Sequence, residues 1–153
     1  MTIKVNIEIN RIFEVGADLN RVFDLLADVP ESASHFPRVD ALIDLGGNCF
    51  RWEMKKIGVE KHAIQSIYAC RYVSSPEDAK IVWTPIKGEG NGVVEGSWQF
   101  TELEAGVSCR FSTNAQLNLP LPSLLKMAVS PMVKREFNSL VDNYISNLQK
   151  VLS

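Results

Sequence analysis

The sequence predicts an α+β domain: a curved antiparallel sheet of about seven strands wrapped around one long C-terminal α-helix, with two short helices after the first strand. Apolar residues alternate at a period of two through most of the chain. Short turn sequences separate these runs, and short connections make neighbouring strands antiparallel. Beyond Leu121 the period changes to about 3.6.

Ile3, Val5, Ile7 and Ile9 alternate with Lys4, Asn6 and Glu8, which gives the first strand. The apolar phase slips at Asn10 and Arg11, ahead of Ile12, Phe13 and Val15, and predicts a bulge or twist near the strand's end. Gly16 breaks the strand. Asp18 can cap a helix carrying Leu19, Val22, Phe23, Leu25 and Leu26 at helical spacing, and Asp28 and Pro30 end it. "PESASHFP" has room for one more helical turn before Pro37, because the residue ahead of a proline is pushed out of the helical region.

From Val39 the pattern is β. "VDALIDL" runs into Gly46-Gly47-Asn48, a hairpin signal. In "CFRWEMKKI" Phe50, Trp52 and Met54 share one side, opposite Arg51, Glu53 and Lys55. After Gly58 the stretch "VEKHAIQSIYACRYV" is mixed, and a slip of one residue there would exchange its two faces. "SSPED" is a turn, "AKIVWTPI" a short strand cut at Pro85, and "KGEGNG" a flexible loop. "VVEGSWQFTEL" and "VSCRFSTNAQLNL" are joined by "EAG". Trp98 and Phe100 share a face of the first, and Val107, Cys109, Phe111, Thr113, Ala115 and Leu117 share a face of the second. In the last segment Val133, Phe137, Leu140, Val141, Tyr144, Ile145, Leu148 and Val151 form a helical stripe. Pro131 predicts a kink, or a restart with Ser130 as cap.

The 153 residues are expected to form a single domain, large enough to build a core without staples. A net charge of −2 gives no basic footprint for nucleic acid. Cys49, Cys70 and Cys109 are far apart and odd in number, which argues against a zinc site or a disulfide framework. They are expected to be small buried hydrophobes in a reducing, cytoplasmic setting. "MTIKVNIEIN" alternates and carries charge, unlike a signal peptide. No apolar run reaches the roughly 20 residues that span a bilayer, so stable membrane insertion is not expected.

One face of the sheet is polar and meets water, and the apolar face needs a cover. The C-terminal helix is the only element long enough. A curved sheet wrapped around one helix need not close completely, and the gap becomes a cavity.

The order of elements resembles the START and Bet v 1-like superfamily, the helix-grip fold. "VFDLLADVPESASHFPRV" looks like that family's first helix, short second helix and strand entry, and "VVEGSWQFTELEAGVSCRFSTNAQL" looks like its penultimate hairpin. "KIGVEKHAI" and "KGEGNGVVEGSWQFTEL" are also similar to the branch that contains a carbon monoxide dehydrogenase component family. The resemblance runs over nearly the whole chain and implies the fold. Its motifs are structural, and members carry lipids, quinones, sterols or hormones, while some cyclise polyketides.

No reactive constellation accompanies the resemblance. There is no G-x-S-x-G and no H-E-x-x-H, and "GEGNG" lacks the strand-to-helix setting of a dinucleotide loop, so no cofactor is expected. That glycine-rich loop is either a plain turn or, as the resemblance implies, a mobile element near a cavity mouth. His35 and His62 are expected at the surface, His35 with the alternative of a place at the cavity rim. Asp28 and Glu31 are explained by helix capping and solvation.

The candidate ligand-binding set is the aromatic interior with its neighbours: Phe36, Trp52, Met54, Tyr68, Tyr72, Trp83, Trp98, Phe100, Phe111, Thr113, Met132, Phe137 and Leu140. Tyr68, Tyr72, Thr113 and Arg71 could supply polar groups, although strand phase sets Tyr68 and Arg71 on opposite faces. The expected partner is a hydrophobic small molecule (lipid, quinone or polyketide-like), held by a carrier or sensor. The alternative is a cyclase or dehydratase using Tyr68, Tyr72, His35 or Arg71 to polarise a carbonyl. A third reading is an assembly factor, or a protein partner for ligand exchange. It would need an exposed apolar patch around "LPLPSLLKMAVSPM".

Overall fold

A computed structural model describes residues 2–58 and 63–153. His62 lies outside the described residues. Seven strands form one antiparallel sheet: β1 (Ile3–Val15), β2 (Val39–Gly46), β3 (Cys49–Met54), β4 (Ile67–Ser75), β5 (Lys80–Pro85), β6 (Gly92–Leu103) and β7 (Gly106–Leu119). Their spatial order is β1-β7-β6-β5-β4-β3-β2, so chain neighbours pair throughout except that the first strand joins the last. Helices α1 (Leu19–Ala27) and α2 (Val29–Ala33) follow β1, and α3 (Lys126–Val151) ends the chain against the curved inner face. Among the described residues no helix is long and apolar enough to cross a membrane.

The local signals account for the boundaries. The Asp18 carboxylate accepts from the Arg21 amide at 2.8 Å and caps α1. Asp28 serves two helices. Its amide donates to the Asp24 carbonyl at the end of α1, and its side chain accepts from the Glu31 amide at the start of α2. The C-terminus of α3 is tied back where β1 meets α1, with the Ala17 amide donating to the Leu152 carbonyl at 2.8 Å.

One expectation is corrected. β1 has no bulge: its pairing with β7 runs unbroken from Ile3↔Leu119 to Val15↔Val107. The inward phase continues through Arg11, and Ile12 is the exception, 63% exposed. Arg11 is tolerated at an inward position because α3 offers it partners. Its Nε donates to Asp142 Oδ1 at 2.8 Å, and its Nη2 to Asn138 Oδ1 at 2.9 Å.

Of the two alternatives at Pro131, the restart with Ser130 as cap does not occur. The helix begins at Lys126 and runs through the proline. Pro131 leaves the Met127 carbonyl without an amide, but both residues are exposed, so water can serve that group.

The Lys87–Asn91 segment is joined to the neighbouring strands by side-chain bonds. Asn91 Nδ2 donates to the Gln65 carbonyl at 2.8 Å, Asn91 Oδ1 accepts from the Ile67 amide at 2.9 Å, and Arg51 Nη1 reaches Glu89 at 2.8 Å. Gly90 lies so close to Ile67 that an added Cβ would stand 2.2 Å from its carbonyl oxygen.

Gly96 has a comparable constraint in the middle of β6. A Cβ there would stand 2.4 Å from the Ser112 carbonyl oxygen and 2.5 Å from the Trp83 ring. The glycine lets the indole lie flat on the backbone. Gly96→Ala is therefore expected to cost about 1–3 kcal/mol through overpacking. Urea unfolding checks this, with a shifted tryptophan emission as the local sign that Trp83 has moved.

Candidate functional site

A cavity of about 90 Å³ lies between the inner face of the sheet and α3. The alternation of β3, β4, β5, β6 and β7 delivers Trp52, Tyr68, Tyr72, Trp83, Trp98, Phe111 and Thr113 to it. Phe137, Val141 and Tyr144 line it from α3 at helical spacing. Phe36, just beyond α2, and Ser32 close one side. All three tryptophans and all three tyrosines of the chain line this space.

The rings form a hoop. Tyr72 meets Trp83 at 6.0 Å between centroids, Trp83 meets Phe111 at 5.7 Å, and Phe111 meets Tyr144 at 6.4 Å. Tyr144 then meets Phe36 at 4.9 Å, and Phe36 meets Trp52 at 5.8 Å. A hydrogen bond closes the circuit, from Trp52 Nε1 to the Tyr72 hydroxyl at 2.9 Å. Tyr68 stacks on Trp52, 6.0 Å between centroids with planes 16° apart.

Four expected residues fall outside the cavity lining. Phe100 is two places beyond Trp98 on the same face of β6. There α1 covers the sheet, and Phe100 meets Phe23 edge-on at 6.1 Å. Met54, at the end of β3, is 3% exposed and belongs to the core beside the cavity. Leu140 is buried but turned off the Phe137–Val141–Tyr144 ridge, and Met132 packs partly buried near the start of α3. Arg71 is exposed on the outer face, where its Nε approaches Cys49 Sγ at 3.4 Å. His35 is half-buried but does not line the cavity, and its Nε2 is buried without a partner among the described residues.

Tyr144 stood in the aromatic stripe but outside the candidate set, and Ser32 gave no sequence signal. Their hydroxyls are joined by a short hydrogen bond. The proton of Thr113 is also committed, to the Glu95 carbonyl at 3.1 Å. The Tyr72 oxygen accepts from Trp52 Nε1, which leaves its own proton uncommitted. Tyr68 alone among the three phenols has no hydrogen-bond partner among the described residues, although it is only 8% exposed.

No carboxylate, imidazole, ammonium or guanidinium lines the cavity among the described residues. Burial raises all three phenols above their ordinary value of 10.0. For Tyr144 the hydrogen bond to Ser32 and the nearby Trp98 indole partly offset that effect. Cys49, Cys70 and Cys109 are buried and free. Burial pushes the Cys70 and Cys109 thiols up from 9.0 to about 12.

The sheet-facing Leu121, Leu125, Val129 and Met132 pack against the core. That leaves Leu124, 92% exposed, and Met127, 91% exposed, three residues apart and so neighbours on one helical surface, as the large exposed apolar side chains of this segment.

No protein-family model matches the sequence, and no curated protein matches it. Solved structures do match. The di-domain aromatase/cyclase StfQ of the steffimycin biosynthetic pathway has a TM-score of 0.62 at 14% identity, covering 97% of this chain and 51% of that one. This chain thus spans about half of that protein's length. The Zhui aromatase/cyclase from a Streptomyces species gives 0.59 at 16% identity, over 96% of this chain and 91% of that one. A START superfamily protein from Mycobacterium smegmatis gives 0.60 at 14% identity, over 95% and 96%. At such identities the likeness is one of fold. The chain has the START/Bet v 1-like helix-grip fold. These neighbours do not bear on the carbon monoxide dehydrogenase branch.

A phenol kept neutral by burial in the folded state, where its unfolded counterpart ionises, stabilises the fold fully below its ordinary value of 10.0. That stabilisation is lost as pH climbs from there toward the raised value. The two thiols behave alike, from 9.0 toward about 12. Alkaline titration is therefore expected to show no phenolate absorbance while the protein is folded. All three tyrosines should then ionise together as it unfolds, and parallel circular dichroism tests this.

Proposed function

We propose that this chain binds a hydrophobic small molecule, such as a lipid, quinone or polyketide-like compound, in the cavity between the sheet and α3, as a carrier or sensor. The observation that carries this reading is the hoop of aromatic side chains around a space that no described residue fills. Pockets for small molecules have this composition: apolar and aromatic walls with a few placed polar groups. Phe36, Trp52, Tyr68, Tyr72, Trp83, Trp98, Phe111, Thr113 and Phe137 are the proposed contacts. The buried free thiols agree with a reducing, cytoplasmic setting.

A second reading, cyclisation or dehydration of a polyketide-like substrate, is favoured by the unpartnered Tyr68 phenol, which can polarise a carbonyl. Proton abstraction is the difficulty. The lining offers no carboxylate or imidazole among the described residues, and a buried phenol above its ordinary range is a donor rather than a base. Binding without turnover fits these groups better.

Native mass spectrometry of gently purified protein, followed by solvent extraction, is expected to find one neutral organic molecule per chain. Ala115→Leu, which puts a larger side chain into the lining, should lower that occupancy at least tenfold. A bare mass, together with tryptophan emission unmoved by quinones, sterols and acyl compounds, would sink the proposal.

A further inference from the structure

The geometry points to Tyr68, the one wall hydroxyl with no partner among the described residues, as a polar anchor of the cavity, and so to a neutral, ring-sized ligand bearing a carbonyl acceptor, an aryl ketone or quinone rather than a carboxylate or a charged lipid head. This inference rests on the proposed ligand-binding reading and narrows it.

Hydrogen-bond satisfaction sets Tyr68 apart. Every other hydroxyl on the wall already has a partner: Tyr72 accepts from Trp52, Ser32 pairs with Tyr144, and Thr113 donates to Glu95. Tyr68 keeps both its proton and its lone pairs free of any partner among the described residues. The Tyr68 hydroxyl is not among the fully buried polar atoms that lack a partner, so water reaches it, and a ligand's acceptor oxygen would take the place of that water. Because burial holds the phenol protonated, what it offers first is a donor, and its natural complement is an acceptor oxygen.

Charge narrows the ligand. An anionic head placed here would lose its hydration with no cation on the wall to replace it. An ammonium head would meet no carboxylate, so the wall selects against net charge of either sign.

Size narrows it further. About 90 Å³ is ample for water but less than an engineered apolar cavity of roughly 150 Å³ that takes benzene, and well below the roughly 300–1,000 Å³ of drug-sized pockets. A single ring can be admitted with small side-chain shifts, whereas an acyl chain cannot without wholesale rearrangement. The stacked Trp52–Tyr68 pair presents a flat surface beside the hydroxyl, which suits a planar carbonyl compound.

The test uses the full chain with acetophenone, its acceptor-free counterpart ethylbenzene, and benzoate. Affinities are read by tryptophan quenching and calorimetry, in the wild type and in Tyr68→Phe. The ratio of acetophenone to ethylbenzene affinity is expected to fall roughly three- to tenfold in the variant, the scale of one neutral hydrogen bond. The carbonyl stretch of bound isotope-labelled acetophenone should lie lower in the wild type than in the variant, and benzoate should bind weakest. An unchanged ratio would overturn the Tyr68 anchor while leaving the cavity reading intact, and benzoate binding as tightly as acetophenone would overturn the neutrality argument. If no ring compound binds, the ligand-binding reading and this inference fall together. Should Tyr68→Phe fail to fold, an unshifted carbonyl stretch in the wild type is sufficient to refute the anchor.

Discussion

One helix has to cover a sheet too wide for it. Seven strands spaced about 4.8 Å apart make a sheet roughly 30 Å across, whereas a helix with its side chains is about 10–12 Å wide. The 26 residues of α3 give ample length but not width. Curvature reduces the mismatch, and α1 and α2 cover one end. What remains must be filled by side chains with long reach, which is why indole and phenol rings crowd the inner face. The cavity is the residue of that mismatch, so the fold creates the site before any residue specialises it.

That origin accounts for the site's chemistry. Rings reach inward without bringing charge, and the few polar groups on the wall bond to one another where they come close, as the Trp52 indole N–H does to the Tyr72 hydroxyl and Ser32 does to Tyr144. The charged groups near the interior point away from it. Arg11 stands in an inward phase of β1 yet is drawn sideways to Asp142 and Asn138 on α3, so it fastens helix to sheet rather than entering the cavity. Arg51 is held on the outer face by Glu53 and Glu89.

The fold was legible because its two periodicities are clean and its turns are short. The inner face was legible for the same reason: alternation says which side of a strand a ring occupies. It does not say what lies opposite. Trp98 and Phe100 are equivalent by phase, yet one meets the cavity and the other meets Phe23 of α1. The break in pattern at Arg11 and Ile12 looked like a bulge because an inward arginine beside an outward isoleucine mimics a phase slip. Its resolution lies in the side chains of a helix more than a hundred residues away. The glycines of the Lys87–Asn91 segment suggested freedom, and did not show that Gly90 makes a close backbone approach. Ser32 could not be found from sequence at all, since its partner Tyr144 is distant in the chain.

The pairing of the first strand with the last also sets a clock. Ile3 cannot meet Leu119 until the intervening chain exists, and synthesis at roughly 5–20 residues per second makes that wait on the order of 6–20 seconds. α3 is made later still. Until it docks, the inner face with its three tryptophans is open to whatever else is in solution. A nascent chain in this state has a ready-made sticky surface, so the period before release is when it is most in need of a chaperone and when a hydrophobic guest could be enclosed rather than admitted.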